Sequence, residues 1–329
     1  MCKRIRQRCL ICPKAYAYYS NLLSIVILCR GKCGLSKCIT RYMVAMAAAD
    51  LLVIIFDVIL YEINYMYFSY SFLDYTPVCS LNMALIVATI DCSVWLTVAF
   101  TFDRFITICC QKLRVKYCTG RTAAIVIATV FGLSFVENIP IYFETEHLEM
   151  INNTAWSCRL KSTSSSSPAS IAYFFFDITL TPFAPFLLIV LLNALTIRHI
   201  VRASRVRRGL RENNNSEIHN DPEMENRMKS IILLLAISSS FILLWMVTFV
   251  YYICTHFAGI LFTLTDYNDP FAIMEHTGYM LQRLSSCTNT FIYAVAQAKF
   301  REELKNLLKY PWSQIVSQID SLKKRMKRM

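Results

Sequence analysis

The sequence predicts an all-α membrane protein, a bundle of seven transmembrane helices followed by a short amphipathic eighth helix. Of its 329 residues, 56% are hydrophobic and 13% aromatic. The mean hydropathy is +0.42, which is high for a soluble domain of this size. Seven apolar runs follow one another along the chain. Basic residues lie in the gaps between the runs rather than in one stripe, so the formal charge of +12 does not predict a nucleic-acid-binding surface.

The apolar runs have the lengths expected of helices that cross the hydrocarbon core of a bilayer, with one exception. The first run has fifteen residues, which at 1.5 Å per residue gives roughly 22 Å against about 30 Å of hydrocarbon. The seven runs comprise residues 15–29, 40–61, 79–110, 123–142, 171–200, 230–257 and 271–296.

The distribution of Lys and Arg predicts the orientation of the bundle. If the first run ends in the cytosol, twenty-five Lys and Arg lie on the cytosolic side, in residues 30–41, 111–122, 198–229 and 297–329. The outer gaps between runs hold only two, Arg159 and Lys161. Because loops rich in Lys and Arg stay inside, we expect a multi-pass plasma-membrane protein with its N-terminus outside and its C-terminus in the cytoplasm.

The first fourteen residues do not follow this rule, because they carry five basic residues and would lie outside. Pro13 and Lys14 interrupt the apolar stretch and no small-residue cleavage site follows, so the pattern does not predict a signal peptide. A truncated or mis-assigned start and a true short basic N-terminus both remain open. The predicted organisation is a short N-terminus (1–14), a seven-helix domain (15–296), and an eighth helix with a basic cytoplasmic tail (297–329).

The segment after Phe300 has an amphipathic pattern, with leucines on one side and basic residues on the other. This pattern predicts a helix that lies on membrane lipid at the inner leaflet. The leucines are Leu304, Leu307 and Leu308, and the basic residues are Lys299, Arg301, Lys305 and Lys309.

Among the fourteen cysteines, Cys79 at the start of the third run and Cys158 in the loop before the fifth both fall on the predicted outer side. A disulfide between them would pin that loop across the mouth of the bundle. The same loop contains the sequon that starts at Asn152, on the correct side for glycosylation. The cysteines near the cytosolic face should stay reduced, and their spacings do not predict a zinc site.

A carboxylate stands in the middle of the second run, at Asp50, where an unpartnered charge costs at least about 2.5 kcal/mol. Its oxygen atoms and polar neighbours suit a hard monovalent cation, so we hypothesise a sodium site formed by Asp50, Ser93, Ser285 and Asn289. The alternative is a polar network that ties the helices together without an ion. The polar residues expected at this depth are Asn21, Ser93, Ser285, Ser286 and Asn289.

Short motifs occur in every run, in a fixed order and spacing. They are Asn21, residues 47–51, Cys79, Asp103-Arg104-Phe105, Pro140, Pro185, Phe241, Trp245, residues 289–293 and Phe300. Together they resemble a rhodopsin-like (class A) G-protein-coupled receptor over essentially the full chain. Val247 and Thr290 stand where that family usually has proline. Since proline kinks a helix, the resemblance implies the same fold with different hinges.

The resemblance implies a coupling switch at the cytoplasmic end of the third helix. Asp103 would hold Arg104 at rest, and a released Arg104 would contact a helix of a heterotrimeric G protein; Phe105, Asn289 and Tyr293 belong to the same motifs. The plain alternative is an arginine that snorkels at the membrane boundary. Arg227 occupies the position of the acidic latch that many receptors have, so the resemblance also implies high basal activity.

The outer half of the predicted bundle carries charged residues inside apolar runs. In this fold Asp57 and Arg283 would face each other, either as part of a ligand pocket or as a lock between helices. Asp91 and Asp177 have no such partner, so they would meet a cation or one of them would stay protonated. The further candidate ligand contacts are Ile86, Trp245, Phe249 and Tyr252. Aromatic residues at such positions more often serve packing than ligand binding.

Residues 42–50 and 93–105 narrow the resemblance to the orphan receptor 139/142 group. That resemblance implies an aromatic amino acid, an amine or a short peptide as ligand and signalling mainly through a Gq-type protein. A receptor fold that binds ligand without coupling is one alternative, because two prolines are missing.

A transporter or channel is a less favoured alternative, because the sequence has no internal repeat and only seven glycines. Nothing predicts a catalytic site or a bound cofactor other than sodium: the sequence lacks a Gly-rich phosphate loop, HExxH and GxSxG.

Overall fold

The computed structural model describes residues 2–68, 70–161, 167–213, 222–257, 270–307 and 309. Within these ranges the chain forms the seven predicted long helices, which we number α1 to α7, and a short helix over residues 298–307, α8. The long helices are α1 (Cys2–Cys29), α2 (Lys37–Tyr67), α3 (Thr76–Cys109), α4 (Gly120–Phe143), α5 (Pro168–Ile178, Thr179–Phe183 and Ala184–Asn213), α6 (Pro222–Phe257) and α7 (Pro270–Ala296).

Five of these helices, α2 to α6, are long and apolar enough over their described residues to cross a membrane. The apolar part of α1, Tyr16–Cys29, is shorter, in agreement with the short first run. The helix itself begins at Cys2, not at Ala15, and contains 28 residues, or roughly 42 Å. Leu, Ile, Lys and Arg are all compatible with a helix, so helical structure extends beyond the apolar run.

In the described residues, α2 and α5 contain π-helical turns, and neither turn lies at Val247 or Thr290, where the family usually has proline. Residues Ile54–Ile63 of α2 and Thr179–Phe183 of α5 form π-helical turns. In α5, Thr181 has extended backbone angles (φ −147°, ψ 110°) immediately before Pro182, because a proline ring disfavours the helical conformation of the preceding residue. By contrast, α6 and α7 each form one helix through Val247 and Thr290.

The loop between α4 and α5 forms a β-hairpin that the sequence analysis did not predict. Strands β1 (Thr145–Ile151) and β2 (Thr154–Leu160) pair antiparallel. Asn152 and Asn153 form the two-residue turn, with positive φ angles of 49° and 59°, as type I′ hairpin turns require.

The predicted disulfide between Cys79 and Cys158 is confirmed, and it ties β2 to the first turn of α3 with a Cα–Cα distance of 5.8 Å. The Thr76 hydroxyl donates to the Ser157 carbonyl at 2.9 Å and adds a second link. We call this end of the bundle the disulfide end. The opposite end, which carries the loops rich in Lys and Arg, is the basic end.

The largest buried core lies towards the basic end, where α1, α2, α3, α4, α6, α7 and α8 meet. Phe100, Tyr293 and Phe300 are fully buried there. Leu304 and Leu307 of α8 pack against this core, so both leucines contact the bundle and not only the lipid. Leu308 lies outside the described residues. Burial of α8 on the bundle therefore positions Phe300 beneath Tyr293.

Candidate functional site

The Asp50 carboxylate is fully buried between α2, α3 and α7. One oxygen accepts from the Ser93 hydroxyl at 2.5 Å, and the other accepts from the Asn289 amide at 2.8 Å. Ser286, rather than Ser285, is the serine of α7 that hydrogen-bonds this carboxylate. The geometry thus brings together three of the four residues of the sodium hypothesis and replaces the fourth by its neighbour.

Thr290, which stands in place of the family's proline, joins α7 to α1. Its hydroxyl accepts from Ser24 at 2.8 Å and donates to the Ser20 carbonyl at 3.1 Å. The Asn21 amide donates to the Ser286 carbonyl at 2.8 Å beside it. A proline would remove the hydroxyl, so the substitution exchanges a helix hinge for a link between two helices.

Replacing Thr290 with valine is expected to destabilise the folded protein by about 1–3 kcal/mol, because Ser24 is then left buried without its partner. Thr288→Val is the matched control, since the Thr288 hydroxyl bonds only the Ser285 carbonyl of its own helix at 2.9 Å. The measurement is the thermal unfolding of both purified variants. Equal destabilisation by the two changes would show that the link to α1 contributes nothing.

Asp103 and Arg104 form a buried ion pair at the basic end of α3. The Arg104 guanidinium carbon also lies 5.8 Å from the centre of the Phe100 ring. Asp103 has a second partner, because the Cys38 thiol at the start of α2 donates to it at 3.1 Å. Both charged side chains are thus held inside the bundle, whereas a snorkelling arginine extends into water.

The remaining predicted coupling residues lie around this pair. Phe105 is half-buried, and the buried Tyr293 ring meets Phe300 edge-on with centroids 5.8 Å apart. The side chain of Arg227 lies outside the described residues. Cys118, in the loop after α3, is close to the same region, and burial raises the pKa of its thiol. A thiol with a raised pKa is less reactive at neutral pH, as expected of a cysteine that stays reduced.

The predicted pair between Asp57 and Arg283 is present, with two hydrogen bonds of 2.6 and 2.9 Å. Glu62 joins it, accepting from Arg283 at 3.3 Å. An α-helical register would turn Glu62 away from the face of Asp57. The π-helical turn of α2 bonds residue i to residue i+5 and so places both acids one turn apart, on the side of α7. We call these three residues the arginine cluster.

Three carboxylates from three helices meet in the half of the bundle nearer the disulfide end. Asp91 of α3, Glu137 of α4 and Asp177 of α5 each offer an oxygen, and these atoms all lie within 4.8 Å of one another. Asn138 donates to Asp91 at 2.6 Å. Among the described residues, no Lys or Arg pairs with any of the three acids. We call Asp91, Glu137 and Asp177 the acidic cluster.

The candidate aromatic residues are mostly packed against one another. Trp245 stacks on Phe241 at 5.2 Å, and Phe249 stacks on Phe186 at 4.4 Å. Tyr252 differs, because it lies close to the Asp177 carboxylate. Ile86 is buried in α3. Tyr252 is therefore a candidate that lies beside an acidic group.

A comparison with known protein families identifies the family of this chain. The sequence model described as 7 transmembrane receptor (rhodopsin family) matches residues 20–293. The chain belongs to this family. It is therefore a multi-pass membrane receptor of the G-protein-coupled class, whose members are receptors rather than enzymes. The family implies an extracellular ligand and a heterotrimeric G protein as general partners of the receptor.

Sequence reasoning missed two participants in the receptor's charged sites. Glu62 was not predicted as a partner of Arg283, because its position follows from the π-helical turn. Glu137 was missed although a signal existed: it is an acid within the fourth apolar run, where unpartnered charge is costly.

Proposed function

We propose that this receptor recognises a positively charged group on an extracellular ligand through its acidic cluster and passes the signal through Arg104 to a Gq-type G protein. The observation that carries the proposal is the set of three adjacent carboxylates without a basic partner in the described residues. Buried charges of one sign are costly. A cation from the ligand would lower that cost, so the cluster favours such ligands over neutral or acidic ones.

The proposal requires the disulfide end to face the outside. Three features support that orientation: disulfides persist in oxidising compartments, the Asn152 sequon lies exposed at the tip of the hairpin, and Lys and Arg concentrate at the opposite end. The same orientation makes Asn152 the proposed glycosylation site, with the N-terminus outside and the C-terminus in the cytoplasm.

The neighbourhood of the acidic cluster suggests the chemistry of the ligand. Tyr252 lies near Asp177 and also interacts with Tyr279, and Tyr279 in turn lies near Arg283. Tyrosines therefore connect the acidic cluster with the arginine cluster. A ligand with an ammonium or guanidinium group and an aromatic ring would match acids and rings together, so we propose an aromatic amino acid, an amine or a short basic peptide.

Coupling is proposed to follow the release of Arg104 from Asp103. Asp103 keeps a partner when Arg104 leaves, because Cys38 donates to it, and this lowers the cost of opening the pair. The preference for a Gq-type protein is carried by the resemblance of residues 42–50 and 93–105 to the orphan receptor 139/142 group.

We also propose an allosteric sodium ion beside Asp50. Asp50, Ser93, Ser286 and Asn289 supply oxygen atoms from three helices, which is the donor chemistry that hard cations prefer. The ion would take the place of hydrogen bonds that the Asp50 carboxylate now accepts.

A screen of aromatic amino acids, amines and basic peptides for calcium release in cells tests the proposed ligand class. With an agonist in hand, Asp177→Asn is expected to weaken its potency by about 1.5–3 kcal/mol, roughly 10- to 150-fold, the range for a hydrogen bond to a charged group. Surface expression should remain near that of the wild-type receptor, because neutralising the side chain reduces repulsion within the acidic cluster.

Glu146→Gln is the matched control for this change. Glu146 lies on β1 at the disulfide end and pairs with exposed Arg159 at 3.0 Å, so potency should change little. Unchanged potency of a cationic agonist on the Asp177→Asn receptor would refute the proposed recognition by this carboxylate.

A further inference from the structure

Besides its own carboxylates, the acidic cluster has a further buried oxygen atom beside it that lacks a hydrogen-bond partner. Asn138 is 1% exposed, as is Asp91. The Asn138 amide nitrogen donates to Asp91 and to the Ser134 carbonyl, so the amide group lies against the cluster. Its oxygen is buried and has no hydrogen-bond partner. An amide oxygen only accepts, so it calls for a positive charge or a donor at this place.

Buried oxygens without a hydrogen-bond partner lie here on each of three helices. They belong to Asp91, Glu137, Asn138 and Asp177. The Thr181 hydroxyl lies beside Asp91, because the irregular turn of α5 before Pro182 places it there. Asn138 lies at a similar break, where the first segment of α4 ends at Glu137. Two helix interruptions thus lie beside the acidic cluster, one in α4 and one in α5.

We infer that the acidic cluster, with Asn138 and Thr181, binds a divalent cation, with Ca²⁺ as the ion that fits best. All the available ligand atoms are oxygens. Hard cations prefer oxygen ligands, whereas softer metals such as zinc prefer other ligand atoms. Ca²⁺ accepts six to eight oxygen ligands in irregular geometry, whereas Mg²⁺ demands a near-ideal octahedron and is usually held by one or two carboxylates. Three carboxylates on three separate helices match the irregular coordination of Ca²⁺, with water completing the coordination shell.

The ion would act as a link between α3, α4 and α5. It neutralises two of the three negative charges and leaves one for the positively charged ligand, so Ca²⁺ and ligand can occupy the region together. The inference uses the same acids as the proposed function. Its test needs no ligand, however, so the absence of an agonist response and the absence of a metal site are separate outcomes.

Thermal unfolding of the full-length receptor, purified in neutral detergent, tests the site directly. The receptor is first kept in a calcium chelator, and Ca²⁺ is then added at constant ionic strength. The unfolding temperature should rise by roughly 3–5 °C, with a midpoint on the order of 0.1–1 mM Ca²⁺, as for weak extracellular sites. Mg²⁺ at the same concentrations should give a smaller rise.

Two variants, Glu137→Gln and Asp91→Asn, each remove one carboxylate and should lose the rise. In the chelator they should unfold at a temperature no lower than the wild-type receptor, because repulsion within the cluster is reduced. This second readout separates loss of the ion from loss of folding. Glu146→Gln, an acid outside the cluster, should keep the full rise.

Three outcomes would overturn the inference. One is a wild-type receptor that Ca²⁺ does not stabilise, which would indicate that protons neutralise the cluster. The second is a full rise that survives in Glu137→Gln and Asp91→Asn, which would place the ion elsewhere. The third is an equal rise with Na⁺ at matched ionic strength, which would point to a monovalent site such as that of Asp50.

Discussion

Replacing Arg283 with alanine is expected to destabilise the receptor by about 3–5 kcal/mol, the usual cost of breaking a buried ion pair from one side. The change leaves two acids, Asp57 and Glu62, without the guanidinium that both contact. Asp57 is buried, with its side chain 10% exposed, so water replaces the lost partner poorly. Surface expression should fall strongly, and the unfolding temperature of the purified receptor should fall with it.

A double variant distinguishes loss of the partner from loss of the arginine side chain itself. Asp57→Ala combined with Arg283→Ala should recover part of the expression that Arg283→Ala loses, because the buried carboxylate that lost its guanidinium is then removed as well. Arg159→Ala, which removes an exposed arginine paired with Glu146, is the control and should change expression little. A double variant no better expressed than Arg283→Ala would contradict the stranded-charge explanation.

The parts of the fold that the sequence predicted are those that depend on periodic burial and on single costly residues. Seven apolar runs predicted seven helices, and the pairing of Asp57 with Arg283 followed from their positions two turns outward of Asp50 and Asn289. Cys79 and Cys158 were predicted to bond because both fall on the oxidising side. In each case one local property of the chain decides the outcome.

The parts that the sequence analysis missed depend on departures from regular helices. A regular α2 keeps Glu62 away from Arg283, and only its π-helical turn brings them together. The approach of Thr181 to Asp91 likewise depends on the irregular turn of α5. The hairpin at Asn152-Asn153 had a signal, since asparagine tolerates the positive φ angles of a type I′ turn, but the sequence analysis assigned no secondary structure to this loop.

The second large effect is expected at the basic end of α3. Arg104→Ala should reduce agonist-stimulated nucleotide exchange on a G protein by roughly 10- to 150-fold, the factor for loss of one hydrogen bond to a charged group, about 1.5–3 kcal/mol. In the proposed mechanism, a released Arg104 supplies the donors that meet the G protein. Arg104 is 2% exposed, so these donors become available only when its side chain leaves the interior of the bundle.

Folding of the Arg104→Ala receptor should suffer less than its signalling. Asp103, which loses the guanidinium, keeps the Cys38 thiol as a hydrogen-bond donor at 3.1 Å. Surface expression and agonist binding should therefore remain measurable. Both must be measured together with nucleotide exchange on the G protein. A receptor that fails to reach the surface would show instead that Arg104 acts mainly in packing.

Nucleotide exchange on a purified Gq-type heterotrimer, reconstituted with purified receptor and the most potent agonist of the screen, tests the central claim most directly. The wild-type receptor and the Arg159→Ala control are expected to accelerate exchange equally, while Arg104→Ala binds the agonist and accelerates it at least about tenfold less. Equal exchange with Arg104→Ala and wild-type receptor would contradict the claim that this chain signals through Arg104.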